Sequence, residues 1–374
     1  MNKKTKVIFV SNYMNHHQIE FCDEMSKSDS VDFYFVSLEE LPEEKIAIGY
    51  DDFQTRKYIV PFYKNENKKQ NFAKICDADV VICSPSNESI QFCSFAKQIF
   101  IFSEHIFKSS PLLHPKNIFR FFKYRIISQK FKKLDIETYI LCASSRTKKE
   151  LSFCGFKWVK GFIKWGYFPK NGEVENRDKD SSVCNLLWVN RMVSWKHPQK
   201  GLKILKIALK QNLNAHLTFI GDGPKKNSTI AKTKKMNLFD RCTFCGYLPN
   251  KQVLEKMTAS HYIISTSDRG EGWGATINEG MKFGCVPIVS NQIGCAKFLV
   301  TDSVGIVYRK IDKILFPTFV EWKSMSSMAI SRISTKWNGV VACRNLLKII
   351  EDNTLLSEIE NNDMPGTLIE DNEK

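Results

Sequence analysis

The chain has 374 residues, 43% hydrophobic and 25% charged, with a formal net charge of +15. That much apolar material excludes a disordered chain, and 18 Gly and 12 Pro without a fixed period exclude collagen-like, linker and solenoid classes; two medium globular domains are expected. The excess positive charge implies an anionic partner, whether nucleic acid, anionic lipid or a phosphorylated small molecule.

The chain opens on MNKKTKVIFV, whose apolar stretch Val7–Val10 is too short for the core of a signal peptide. No apolar run reaches the roughly 18 residues that span a bilayer. The 12 cysteines lie scattered in apolar stretches such as VVIC and YILC, which suits small core hydrophobes and not a disulfide framework. A reducing, cytoplasmic compartment is expected, with membrane contact peripheral at most.

Apolar runs at Val7–Val10, Val31–Val36, Val80–Cys83, Ile99–Phe102 and Tyr139–Ala143 alternate with helical patterns. A second series follows at Leu186–Val189, Leu217–Ile220, Tyr262–Ser265 and Val286–Ser290. Such alternation predicts an α/β protein with parallel sheets, here two doubly wound Rossmann-like domains facing each other across a cleft. Polar, aperiodic residues place the linker at 169–182, between domains 1–168 and 183–336. Residues 337–374 are expected to form a helix returning toward the first domain and an acidic, partly frayed tail.

Between Ile106 and Leu134 there is no acid, while Lys108, Lys116, Arg120, Lys123, Arg125, Lys130, Lys132 and Lys133 interleave with Phe107, Phe119, Phe121, Phe122, Tyr124 and Phe131. Two readings stay open for residues 106–134: a basic aromatic helix lying on an anionic membrane, or a buried aromatic face with a solvated cationic one.

The segment richest in chemistry is STSDRGEGWGATINEG, from Ser265 to Gly280. A strand runs into a loop with Gly270, Gly272 and Gly274, then into a helix holding Glu279. Backbone amides at such a helix start favour phosphate or another oxygen-rich ligand. Glu271 and Glu279 suit sugar hydroxyls or acid–base work. Upstream, Arg191 and Lys196 leave the strand ending at Val189, where two cations can neutralise a diphosphate leaving group without metal. The turn carrying Gly246 and Leu248 offers a ledge for a base.

Taken together, the order of these motifs resembles the retaining GT-B glycosyltransferases of family 4 (group 1), including those that build bacterial capsule, O-antigen and exopolysaccharide. Their pattern pairs an Arg and a Lys with a later E-x7-E, matched here by Arg191, Lys196, Glu271 and Glu279. The resemblance implies that Arg191 and Lys196 hold the donor diphosphate, Glu271 the sugar hydroxyls and Glu279 the ribose. Some members of the family carry a Lys directly before a Gly, so Lys200 before Gly201 is a second candidate for the diphosphate role, with Lys196 preferred on spacing. Backbone amides at Gly272, Trp273, Gly274, Ala275 and Thr276 would complete the donor site. It further implies that His105 faces the donor sugar, with Glu104 beside it and Asn12, His16 and His17 shaping the acceptor side. Where many relatives have a Gly-Gly turn after the first strand, this chain has Asn12–Gln18.

The implied reaction is metal-independent transfer from a UDP- or GDP-linked sugar to a lipid-linked oligosaccharide, at the inner face of the cytoplasmic membrane, with no cofactor. The alternatives are a nucleotide-sugar epimerase of the same fold, a glycosidase-like carboxylate pair, and a non-catalytic basic protein binding nucleic acid or membrane; no nucleic-acid motif supports that last reading. Asp77 and Asp79 form a DxD that precedes its strand, at the end away from the cleft. Cys242 and Cys245 have CxxC spacing without a second pair. Neither is expected to hold a metal.

Overall fold

A computed structural model describes residues 3–43, 46, 55–64, 68–109, 114–169, 178–352 and 363–369. The chain divides into two compact units: Met1–Asn171 with Trp337–Lys374, and Gly172–Lys336.

The first unit holds a seven-stranded sheet made of β1 (Thr5–Ser11), β2 (Val31–Ser37), β3 (Ile59–Pro61), β4 (Val80–Cys83), β5 (Gln98–Ser103), β6 (Glu137–Cys142) and β7 (Gly161–Lys164). Their order is β3-β2-β1-β4-β5-β6-β7, all parallel. The second unit holds β8 (Cys184–Val189), β9 (Ala215–Ile220), β10 (Cys242–Phe244), β11 (Tyr262–Ser265), β12 (Val286–Ser290) and β13 (Ile306–Tyr308), ordered β10-β9-β8-β11-β12-β13 and again parallel. This is the α/β GT-B architecture. In each sheet the direction of winding reverses beside the first strand, between β1 and β4 and between β8 and β11, and ligands of open parallel sheets bind outside the carboxyl ends at such points.

Parallel strands are covered on both faces, which is why their sequences read as unbroken apolar runs. All residues of β4, β11 and β12 are buried. In the second unit Trp188, Leu217, Phe219, Ile264 and Ile288 share one core with Leu202 and Leu205 of the Pro198–Lys210 helix. The strands absent from the sequence reading, β3, β7 and β13, are all short edge strands of three or four residues. Pairing on one side only, they carry too few apolar residues to make a pattern.

The C-terminal helix Gly339–Glu351 packs on the Ile19–Lys27 helix within the first unit. Asn338 caps it by accepting from the Val341 amide at 2.9 Å, and the Gly339 amide donates to Glu20 Oε2 at 2.6 Å. A Cβ on Gly339 would lie 2.6 Å from the Phe21 nitrogen, so only glycine allows this approach. The expectation of a frayed acidic tail is corrected for residues 363–369. The Lys164 amide donates to Thr367 O at 2.7 Å and the Ile369 amide to Phe162 O at 2.8 Å, so this segment pairs with the free edge of β7. The remaining tail positions, 353–362 and 370–374, lie outside the described residues, as do linker residues 170–177.

The Pro115–Lys132 helix buries Asn117, Ile127, Ser128 and Phe131. Phe121 and Tyr124 are half-buried, with the Phe121 ring 5.0 Å from that of Phe153, whereas Phe119 is 71% exposed, Phe122 59% and Ile126 58%. The reading with the aromatic face buried holds for Phe131 and in part for half-buried Phe121 and Tyr124, and is corrected for Phe119 and Phe122, which face solvent.

Candidate active site

At the winding reversal of the second unit, the exits of β8, β9 and β11 are tied to one another. The Met192 amide donates to Asp222 O at 2.7 Å, and the Asn190 amide to Ile220 O at 3.1 Å. Gly221 has φ +120°, and a Cβ there would lie 2.0 Å from Asn190 O. This contact fixes the backbone that carries Arg191, whose side chain is exposed.

Beyond Arg191, a short helical turn, Ser194–Lys196, brings Lys196 inward, with only 9% of its side chain exposed. Its carbonyl accepts from Thr266 Oγ1 at 2.7 Å, and that hydroxyl accepts from the Trp188 indole at 2.9 Å. The Lys196 ammonium lies 4.5 Å from the centre of the Trp195 ring and pairs directly with Glu271 Oε2. Ser267 Oγ donates to the same carboxylate oxygen at 3.2 Å. The two residues that the family resemblance assigns to diphosphate and to sugar are thus partners of each other.

A second tie crosses the same loops. His197 Nε2 lies 3.0 Å from Asp268 Oδ2, while Asp268 Oδ1 accepts from the Gly270 amide at 2.7 Å. Partial burial raises the Asp268 pKa, but the His197 and Gly270 hydrogen bonds outweigh it and hold the carboxyl below its ordinary range. Lys200, in the first turn of the Pro198–Lys210 helix, is shifted down by burial, opposed by Asp268.

Gly274, at φ +99°, begins the Ala275–Lys282 helix, and no side chain caps that end. The amides of Ala275 and Thr276 stand at the positive pole of the helix, with half-buried Glu279 one turn further on. A Cβ on Gly294 would lie 1.7 Å from Gly272 O, so the glycine-bearing loops touch backbone to backbone. Trp273 is 1% exposed and its indole donates to Asn278 Oδ1 at 2.8 Å. The Trp273 ring is a core side chain that anchors the helix start. Gly246 accepts from the Gly221 amide through its carbonyl at 2.7 Å and has φ +68°, while Leu248 is half-buried in the same turn.

In the first unit, Glu104 and His105 follow β5. His105 is 1% exposed, with Nδ1 3.1 Å from Ser144 Oγ. Glu104 pairs with Lys108 at 2.7 Å, and its carboxylate adds to burial in pushing the Tyr167 phenol up. Glu150, which the sequence reading missed, accepts from the Ile106 and Phe107 amides, both at 2.8 Å, and so pins the loop that carries His105. No local signal marks an acid 44 positions from the amide it accepts. After β1, the Asn12 amide group donates to Glu39 Oε1 at 3.0 Å, and the His16 and His17 rings lie 3.7 Å apart. Neither histidine caps the following helix, whose N-cap is Gln18.

Asp77 Oδ1 pairs with Lys6 at 2.5 Å and Asp79 Oδ1 with Lys97 at 2.9 Å, at the start of β4. Cys242 and Cys245 are free thiols, and burial pushes that of Cys242 up to about 12, which disfavours the thiolate a metal needs.

Residues 173–316 match the family model of glycosyl transferases group 1, a span containing Arg191, Lys196, Glu271 and Glu279. The chain is a glycosyltransferase. Among solved structures, the glycosyltransferase resembles Anabaena HepE in complex with UDP and glucose, at TM-score 0.60 and 12% identity over 93% of this chain and 100% of that one. It resembles TarM (S. aureus) at TM-score 0.63 and 12% identity, over 94% and 99%. The lipopolysaccharide outer core galactosyltransferase WaaB matches at 0.59 and 15%, over 93% and 100%. No functionally curated protein matches the glycosyltransferase.

Proposed function

We propose that this glycosyltransferase moves a sugar, with retention at its anomeric carbon and without a metal, from a UDP- or GDP-linked donor to a lipid-linked saccharide in surface polysaccharide synthesis. The observation that carries this reading is the buried Lys196–Glu271 pair beside the uncapped start of the Ala275–Lys282 helix. A donor diphosphate would take Lys196 as its counter-ion together with Arg191 and the Ala275 and Thr276 amides. Glu271, released from Lys196, would then accept from sugar hydroxyls, and Glu279 from the ribose. In the first unit, His105 keeps its proposed role toward the donor sugar, with Glu104, Asn12, His16 and His17 on the acceptor side.

In the proposed front-face step, the bond from the anomeric carbon to the phosphate oxygen breaks and the bond to the acceptor oxygen forms on the same face. The acceptor proton passes to the departing phosphate oxygen. Arg191 and Lys196 stabilise charge that grows only as the bond breaks, which is what lowers the barrier. The likeness to HepE with bound UDP and glucose favours the uridine series, and that to WaaB, a lipopolysaccharide outer core galactosyltransferase, favours a cell-surface saccharide.

Membrane association rests on the Pro115–Lys132 helix. Ile118, Phe119, Phe122 and Ile126 form an exposed apolar stripe bordered by Lys116, Lys123 and Lys130, which suits an anionic lipid surface at the cytoplasmic face. Among the described residues, no helix is long and apolar enough to cross a membrane.

The test is calorimetric binding of UDP, GDP and their sugar conjugates in chelator, followed by transfer to lipid-linked acceptors and NMR of the new linkage. Binding of one nucleotide series, and a product with the donor's anomeric configuration, are expected. An inverted linkage, a strict need for divalent metal, or release of an epimerised nucleotide sugar without acceptor would overturn the reading.

A further inference from the structure

Beside the turn that carries Lys196 and His197, the second unit carries a concentration of cations, none of which the proposed transfer uses. Two cavities lie along the Pro198–Lys210 helix and share Lys200 and Lys203 as a common wall. The first, about 340 Å³, lies beside the N-terminal end of the helix and adds Lys225 and Lys232. The second, about 510 Å³, runs toward the C-terminal end and adds Lys206, Lys210, Arg309 and Lys310, with Asp312 its one acid. Among the described residues none of these cations forms an ion pair; the nearest partner of Lys232 is the neutral Gln199 at 3.2 Å. The Lys200 ammonium is pushed down by burial, and its neighbour Lys203 adds to that against the opposing charge of Asp268. Tyr308 also lines the second cavity, and its buried hydroxyl has no hydrogen-bond partner.

We propose that this trough binds a linear acidic saccharide, in register with the lysines of the Pro198–Lys210 helix. Lys203, Lys206 and Lys210 are exposed and recur every three or four positions, so they stand on one helix face. From Lys200 to Lys210 the helix rises about 15 Å, a length for several anionic groups and not for one phosphate. The class of polymer follows from what accompanies the charge. Among the described residues that line the trough, Tyr308 is buried and the His197 ring is held by Asp268, so no exposed Phe, Tyr or Trp offers a platform on which successive bases would stack, as single-stranded nucleic acid requires. It presents no exposed large apolar side chain such as Phe119 or Phe122, which a lipid surface would take up. A flexible chain of carboxylates or sulfates fits point-charge lysines on long stems. The inference extends the reading of the acceptor as a saccharide, and binding is measured apart from transfer so that each can fail alone.

The experiment titrates the full chain into a labelled heparin octasaccharide and a labelled polygalacturonate octasaccharide, with oligothymidylate of equal length and anionic vesicles as comparisons. Saccharide binding is expected to weaken with salt. The triple variant Lys203→Glu, Lys206→Glu, Lys210→Glu should weaken it at least about tenfold and flatten the salt dependence, while UDP binding stays unchanged. Preference between the two saccharides identifies sulfate or carboxylate as the recognised group. Wild-type saccharide affinity in the triple variant would overturn the proposal. So would oligothymidylate or vesicle binding as strong as the saccharides' and lost in the same variant. The single variant Lys206→Glu, at an exposed position, keeps the test interpretable if the triple variant loses UDP binding.

Discussion

Lys196 and Glu271, 75 positions apart, pair at the exits of β8 and β11 with side chains only 9% and 13% exposed. A pair this enclosed is a poor source of net stability, but breaking it from one side leaves a charge without a partner. In the proposed transfer the pair would serve as a latch that a diphosphate opens, exchanging one anion for another on Lys196.

The single variants Lys196→Met and Glu271→Gln are each expected to destabilise the second unit by about 3 kcal/mol in urea unfolding, and the double variant by less than their sum. Each single variant should also abolish transfer. A double variant whose loss equals the sum would show that the two side chains do not interact.

His261 provides the pH dependence. It is 3% exposed, its Nδ1 accepts from the Asn185 amide at 3.2 Å, and burial, aided by Lys179, depresses its pKa from 6.5 to about 4. The unfolded chain takes up the proton first, so the neutral ring's contribution is complete above about pH 6.5 and is lost as pH falls toward 4. Unfolding midpoints should fall over that window, and His261→Gln should remove most of the slope. An unchanged slope would place the titration on other groups.

Gly294→Ala is expected to abolish nucleotide binding, since its Cβ would lie 1.7 Å from Gly272 O and must push apart the loops that set the start of the Ala275–Lys282 helix. A stability loss of about 2 kcal/mol should accompany it. Calorimetry with UDP measures the first effect and urea unfolding the second; normal UDP affinity would mean that the loops can separate without cost to the site.

If the Pro115–Lys132 helix lies on lipid as proposed, replacing Phe119 and Phe122 with Ser should release the protein from anionic vesicles, and so should neutralising Lys123 and Lys130. Transfer to a detergent-soluble acceptor should persist in both. Co-sedimentation of the Phe variant at the wild-type level would leave the exposed rings without a membrane role.

The strand order was readable wherever a strand is central. VVIC at β4 and VPIVS at β12 are apolar throughout because both faces of a parallel strand are covered, and that pattern is a local property of the sequence. The glycine loop and the spacing from Glu271 to Glu279 were readable for the same reason. Edge strands β3, β7 and β13 gave no such signal. Nor did the pairing of residues 363–369 with β7, where backbone groups supply the bonds and almost any side chain is compatible.

Composition, periodicity and short-range spacing by themselves determined two parallel-sheet units, the position of the glycine-bearing helix start and the set of charged residues around it. Only the tertiary structure decided that Lys196 neutralises Glu271, that Asp268 holds His197 across 71 positions, that Trp273 is core and that Phe119 and Phe122 are not. The physical reason is range. Hydrophobic pattern and backbone preference act within a few residues, whereas the partner of a buried charge, and the face a side chain shows to solvent, are fixed by segments that meet only when the sheet has formed.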